Sequence, residues 1–237
     1  MKLSELDCII PYKRAFGDEL KYCLRSLKNI PHRNVYIIGD LPDWATGIIH
    51  IPMDTRDPSR FIDVENIMRK VCHDDRISDD FILMNDDFYV MEKVTELPNW
   101  YSDTIDAEYQ RRIKIDRNNR YAKGYKATDE YLKSLGVKEP LDYSLHIPIV
   151  MNKQKRMIVS HLRYNDLKNN KILLSRSIYC NLFCDKGTQH PDVKYIRIDD
   201  GFKKYAFMST HDSSFINGKI GTYIRDKFKE RGQYERD

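Results

Sequence analysis

Apolar residues along this chain fall into short runs alternating with helical periods. Leu6-Asp7-Cys8-Ile9-Ile10 has the length of a strand and is closed by Pro11, and between residues 18 and 28 Leu20, Cys23, Leu24 and Leu27 recur at helical spacing. Val35-Tyr36-Ile37-Ile38 predicts a second strand, stopped by Gly39 and the turn-rich Asp40-Leu41-Pro42-Asp43, and residues 47–51 predict a third before Pro52. Phe61, Val64, Ile67, Met68 and Val71 predict a helix over 61–72, and Phe81-Ile82-Leu83-Met84 is a fully apolar strand bounded by acids. The order is βαββαβ.

Continuous apolar strands separated by helices imply a mostly parallel sheet covered on both faces, whose ligands lie beyond the strands' carboxyl ends. Residues 11–17, 39–44 and 85–88 would then share one rim. Beyond Pro98 the pattern loosens: helices are expected over 103–115, 127–135 and 173–183, with a short apolar stretch at 147–151. No repeat or low-complexity tract marks a boundary, so the expectation is one α/β domain over 1–237, a mostly parallel mixed sheet flanked by helices with a helical C-terminal part.

Composition narrows the class. A hydrophobic content of 41% beside 32% charge is ordinary for a globular protein, and no window approaches a membrane span. Glu5 and Asp7 precede the first apolar run, and no small-residue cleavage site follows, so the N-terminus does not read as a signal peptide and a cytoplasmic location is expected. Five cysteines without a CxxC pair suit free thiols; Cys180 and Cys184 could share a helix face, which is weak metal evidence. The net charge of +4 is small, but residues 111–126 hold seven bases against Asp116, with Tyr121 and Tyr125 interleaved. That segment suits either a solvated helix face or contact with a polyanion such as DNA.

The strongest candidate for chemistry is Asn85-Asp86-Asp87. Two adjacent carboxylates at the end of an apolar strand lie outside the core on a rigid support, and a hard cation takes one or two carboxylates while substrate phosphates complete its shell. A strand-to-turn exit explains the tripeptide equally well. His211-Asp212 follows the apolar 205–208 and could supply a further ligand, or be a hydrogen-bonded structural pair. His146, in Leu145-His146-Ile147-Pro148, is a candidate general base or a packed core histidine. Asp18 and Glu19 sit where a helix N-terminus favours acids, Arg25 lies further along that helix, and Arg14 and Arg176 are candidate phosphate contacts.

With these residues in place, the first hundred positions resemble the Stealth family of sugar-phosphate transferases, related to the glycosyltransferase GT-A fold. Asp18-Glu19-Leu20-Lys21-Tyr22-Cys23-Leu24-Arg25-Ser26 is similar to that family's motif after the first strand. Val35–Asp40 with Pro42 and Trp44 resembles its second-strand exit, and residues 81–88 resemble its asparagine-aspartate-aspartate motif. His146-Ile147-Pro148, Arg176 and His211-Asp212 are similar to its later histidine-x-proline, arginine and asparagine-aspartate elements. The chain lacks the family's extended first motif, and Ile10-Pro11-Tyr12 with Arg14 looks more like an ordinary GT-A enzyme.

The resemblance implies a GT-A-like domain with a nucleotide-sugar-binding half over 1–98 and an acceptor-binding half over 99–237. It implies Mn²⁺ or Mg²⁺ held by Asp86 and Asp87 with His211 or Asp212, and a nucleotide-sugar donor, first of all a UDP-sugar. Arg14, Asp40 and Asn66 would grip the nucleotide, with Arg176 and Asp86 at the phosphates. His146, Glu19 and Asp212 are the candidate catalytic residues, acting on a hydroxyl-bearing acceptor, a saccharide or DNA bound through 111–126. The expected activity is glycosyl transfer. The alternatives are sugar-1-phosphate transfer of the Stealth type, a phage-type enzyme glycosylating a hydroxylated DNA base, and a silent nucleotide-sugar-binding protein.

Overall fold

The computed structural model describes residues 2–54, 60–116, 119–168, 172–197 and 201–236, with backbone only for 60, 61, 120 and 164–168. The first half follows the expected order: β1 (Asp7–Tyr12), α1 (Glu19–Ser26), β2 (Val35–Gly39), β3 (Ile49–Pro52), α2 (Arg60–Cys72) and β4 (Asp80–Leu83). A short strand, β5 (Phe88–Val90), follows directly, then β6 (Trp100–Tyr101) and the helical hairpin α3 (Ile105–Ile115) and α4 (Arg120–Ser134). The rest comprises β7 (Ile149–Asn152), α5 (Lys153–Lys168), α6 (Ser175–Phe183), β8 (Thr188–Gln189), β9 (Lys194–Tyr195), β10 (Phe207–Thr210), α7 (Asp212–Asn217) and α8 (Lys219–Lys227).

The main sheet has the order β3-β2-β1-β4-β7, its first four strands parallel and β7 antiparallel to β4. It is a mixed sheet flanked by helices. Alternation along β1 divides the core: Ile9 joins Tyr36, Ile38 and Phe81 beneath α2 and α5, whereas Cys8 and Ile10 join Val35, Ile37 and Ile82 beneath α1. Each such fully buried large side chain contributes roughly 1.5–3 kcal/mol. A second sheet, β5-β10-β9, packs on the α1 side through Phe88, Val90 and Phe207. Among the described residues, no helix is long and apolar enough to cross a membrane.

The second half holds helices α3–α8 among the described residues, more than the three expected there, and it also contributes strands the pattern did not announce: β7, β8–β10 and so the pairing partner of β5. The expected helix over 127–135 starts earlier, at Arg120, where the Asn119 side chain accepts from the amides of Tyr121 and Ala122. Helix α5 has no readable apolar stripe for a definite reason. Its inward face carries Arg156 and Arg163, both buried and bonded to Glu65 of α2 at 2.9 and 2.8 Å.

Asp7 starts β1 fully buried. Its carboxylate accepts from Arg33, Asn34 and the Ser78 amide, and although burial opposes the charge, these bonds hold its pKa below the ordinary 3.8. Asp7→Asn should therefore lower unfolding stability by about 2–3 kcal/mol at neutral pH, read from the urea midpoint. A depressed carboxylate stabilises above its unfolded pKa and loses that contribution on acidification, so wild type and variant should converge at low pH.

Candidate functional site

The parallel strands β1, β2 and β4 end on one rim, and three elements meet there. After β4 the chain turns through Asn85-Asp86-Asp87, closed by the Phe88 amide on the Asn85 carbonyl at 3.2 Å, and enters β5. The end of α1 and the residues after it brace β5 behind the turn: Ser26 Oγ accepts from the Val90 amide at 3.1 Å, and Asn29 donates to the Val90 carbonyl at 2.8 Å. The antiparallel register Ser209↔Phe88 then carries the chain leaving β10, His211-Asp212, to the same turn from more than a hundred residues away.

This meeting concentrates negative charge. Glu19, the first residue of α1, is only 5% exposed, and neither of its carboxylate oxygens has a hydrogen-bond partner. Its pKa is raised by burial and then by Asp212 and Asp87. Asp86 is pushed up to about 7, by burial first, then by Asp87 and Glu19, against the opposing Lys194 ammonium. Asp87 Oδ2 accepts from Lys194 Nζ at 2.9 Å and Ser209 Oγ at 3.3 Å, while its Oδ1 is buried and unpartnered. Like charges so placed penalise one another's ionisation, a penalty a bound cation would relieve.

Asp86→Asn should accordingly stabilise the cation-free protein by about 1–3 kcal/mol at pH 8. A raised folded-state pKa penalises the ionised form, so the gain should vanish below the unfolded value near 3.8 and reach its maximum above about 7. Melting temperatures of the two proteins at pH 5 and pH 8 in chelator measure it.

Two recesses lie along this rim. One of about 570 Å³ is lined by Tyr12, Arg14, Asp63, Asn85, Asp86 and Asp212 among others, and a second of about 690 Å³ by Arg14, Gly39, Asp40, His50 and their neighbours. Arg14 lines both, and its backbone amide is fixed by Asp40 Oδ2 at 2.8 Å. Gly39 ends β2 at φ 117°, a conformation side chains resist, and its carbonyl bonds His50 Nε2 at 2.8 Å.

Thus Arg14, Asp40, Asp86 and Asp212 line the rim recesses together, with Asp87 and Glu19 behind Asp86. His211 instead caps α7, with Nδ1 facing the Ser213 amide and hydroxyl at 3.4 and 3.2 Å. Asn66 is exposed on α2 and lines none of these recesses, whereas Asp63, one turn earlier, does. Arg176 is half-buried and lines none of these recesses; it donates to the Ile147 carbonyl at 2.6 Å, and desolvation of its guanidinium lowers its pKa. Arg25 forks onto Glu235 at 2.7 and 2.8 Å and ties the C-terminus to α1. Cys8, Cys23, Cys72, Cys180 and Cys184 are all free thiols.

His146 lies across the turn. Its ring packs edge-on against Phe88 with centroids 6.1 Å apart, and its Nδ1 meets Asp192 Oδ2 at 2.7 Å while its amide donates to Asp192 Oδ1 at 3.0 Å. Burial opposes the charge on Asp192, but the His146 bonds bring its pKa below the ordinary value. Asp192 and Lys194 were not legible as functional residues, since the short strand β9 has no periodic signal around them.

Among the described residues, no three or more His, Cys, Asp or Glu side chains are grouped so as to hold a metal ion. What the rim offers a hard cation is oxygen donors, an orphaned Asp87 oxygen and excess negative charge at the mouth of a recess, with a ligand left to supply the rest of the shell. No protein-family model matches the chain, and no curated protein matches it significantly in sequence.

Proposed function

We propose that this chain is a metal-dependent glycosyltransferase of the GT-A type, using a nucleotide sugar and a hydroxyl acceptor. The observation that carries the reading is the convergence of Glu19, Asp86, Asp87 and Asp212, from three separate elements, on the carboxyl-end rim that Arg14 and Asp40 also line. Asp86, Asp87 and Asp212 would hold Mn²⁺ or Mg²⁺, which when bound neutralises charge developing on a leaving diphosphate. The recess lined by Gly39, Asp40 and His50 has the volume for a nucleoside, and Arg14 stands between it and the carboxylates, where a diphosphate would lie. His146, its Nδ1 directed at Asp192, presents Nε2 as the base that takes the acceptor's proton.

The test is a thermal-shift panel of nucleotide sugars, UDP-sugars first, with and without Mn²⁺. A shift that needs both is the expected result; a flat panel overturns the reading. Released nucleoside diphosphate would identify glycosyl transfer, whereas nucleoside monophosphate would identify sugar-phosphate transfer.

A further inference from the structure

Three of the seven bases in the segment most basic in sequence, Arg111, Arg112 and Lys126, meet acids in space. Arg111 pairs with Asp103 and with Glu108, the latter at 2.5 Å, and Lys126 has Glu130 at 3.8 Å. Arg112 approaches Glu108 at 4.0 Å, donates to the Tyr125 hydroxyl at 3.1 Å, and lies over the rings of Tyr125 and Tyr121 at 4.4 and 5.6 Å. Arg117 and the Arg120 side chain fall outside the described residues.

These arginines border a recess of about 450 Å³, in which three acids, Glu108, Asp142 and Asp192, face three bases, Arg111, Arg112 and Lys194. His146 stands on its wall, and Lys194 reaches from it to Asp87 at 2.9 Å. The recess therefore lies beside the carboxylate turn and shares no lining residue with the two recesses that Arg14 borders.

We propose that this recess is the acceptor site and that it selects a neutral saccharide. The inference rests on the glycosyltransferase reading for the donor. A polyanion would have to strip Arg111, Arg112 and Lys194 from carboxylates they already face, leaving those acids uncompensated. Sugar hydroxyls both donate and accept, so they bridge such pairs without disturbing the charge balance, and planar guanidinium and carboxylate groups match vicinal hydroxyls. Tyr121, 39% exposed at the edge, offers a ring for the apolar face of a pyranose. The volume lies within the range of small-molecule sites.

Placed there, the acceptor hydroxyl gives its proton to His146 Nε2 as its oxygen bonds the donor's anomeric carbon. The bond from that carbon to the diphosphate oxygen breaks, its electron pair leaving with the diphosphate. This single displacement inverts the anomeric centre.

Saturation-transfer NMR on the full chain tests the site without any donor, using methyl glycosides of glucose, galactose and mannose beside duplex DNA carrying 5-hydroxymethylcytosine. Glycoside saturation is expected in the wild type and about ten-fold weaker binding in Tyr121→Ala and Glu108→Gln, with melting temperatures unchanged. Two separately placed substitutions guard against local misfolding of either one. Absence of glycoside saturation, saturation indifferent to both substitutions, or salt-sensitive DNA binding lost in Tyr121→Ala would overturn the proposal. A positive nucleotide-sugar shift with failed glycosides would remove the acceptor assignment alone, whereas a flat donor panel with glycosides bound would remove the donor reading and leave the saccharide site.

Discussion

Asp87→Ala is expected to abolish Mn²⁺-dependent nucleotide-sugar binding and to lower turnover by about 10³-fold. Asp87 is the member of the carboxylate group with one buried oxygen already free and the other held by Lys194 and Ser209, so its position is fixed before any ligand arrives. Its removal leaves the Lys194 ammonium one partner short, which at a partly exposed site costs about 1 kcal/mol or less. It also relieves repulsion on Asp86 and Glu19, so the variant should melt close to the wild type. Calorimetric titration of a UDP-sugar with Mn²⁺, beside a melting curve, separates lost ligand binding from lost fold. Retained cation-dependent binding in a folded variant would defeat the metal assignment.

His146→Gln should reduce kcat by about 10²–10⁴-fold while donor affinity stays near the wild-type value. The ring is held from two sides: Asp192 fixes Nδ1 and the His146 amide, and Phe88 packs against its edge. Asp192 is thus a positioning residue, and Asp192→Ala should cost about ten- to a hundred-fold in kcat with little change in the donor's KM. Steady-state kinetics at saturating donor measures both. A change confined to the donor's KM would move His146 from proton transfer to donor binding.

The first half of the chain announced itself because its elements bury local patterns. Leu20, Cys23, Leu24 and Leu27 face the same core as Cys8 and Ile10, so spacing alone revealed both elements. Helix α5 stayed hidden because its buried face is satisfied by the Arg156–Glu65–Arg163 network, a long-range device that reads locally as solvated polarity. Asn85-Asp86-Asp87 was visible as a candidate. His211-Asp212 was visible beside it only as a pair, since which of the two reaches the recess depends on the cap of α7, and Asp192 and Lys194 were not visible because they arrive around β9.

By itself, the sequence determined the α/β class, the parallel strand order's raw elements, the rim and the pair of aspartates on it, because strand exits and apolar periods are short-range properties. Only the tertiary structure decided the rest: that β7 runs antiparallel, that Glu19 and Asp212 join those aspartates, and that Arg176 and Asn66 line none of the rim recesses. Charge balance and burial depend on residues brought together across more than a hundred positions, and no local pattern encodes that meeting.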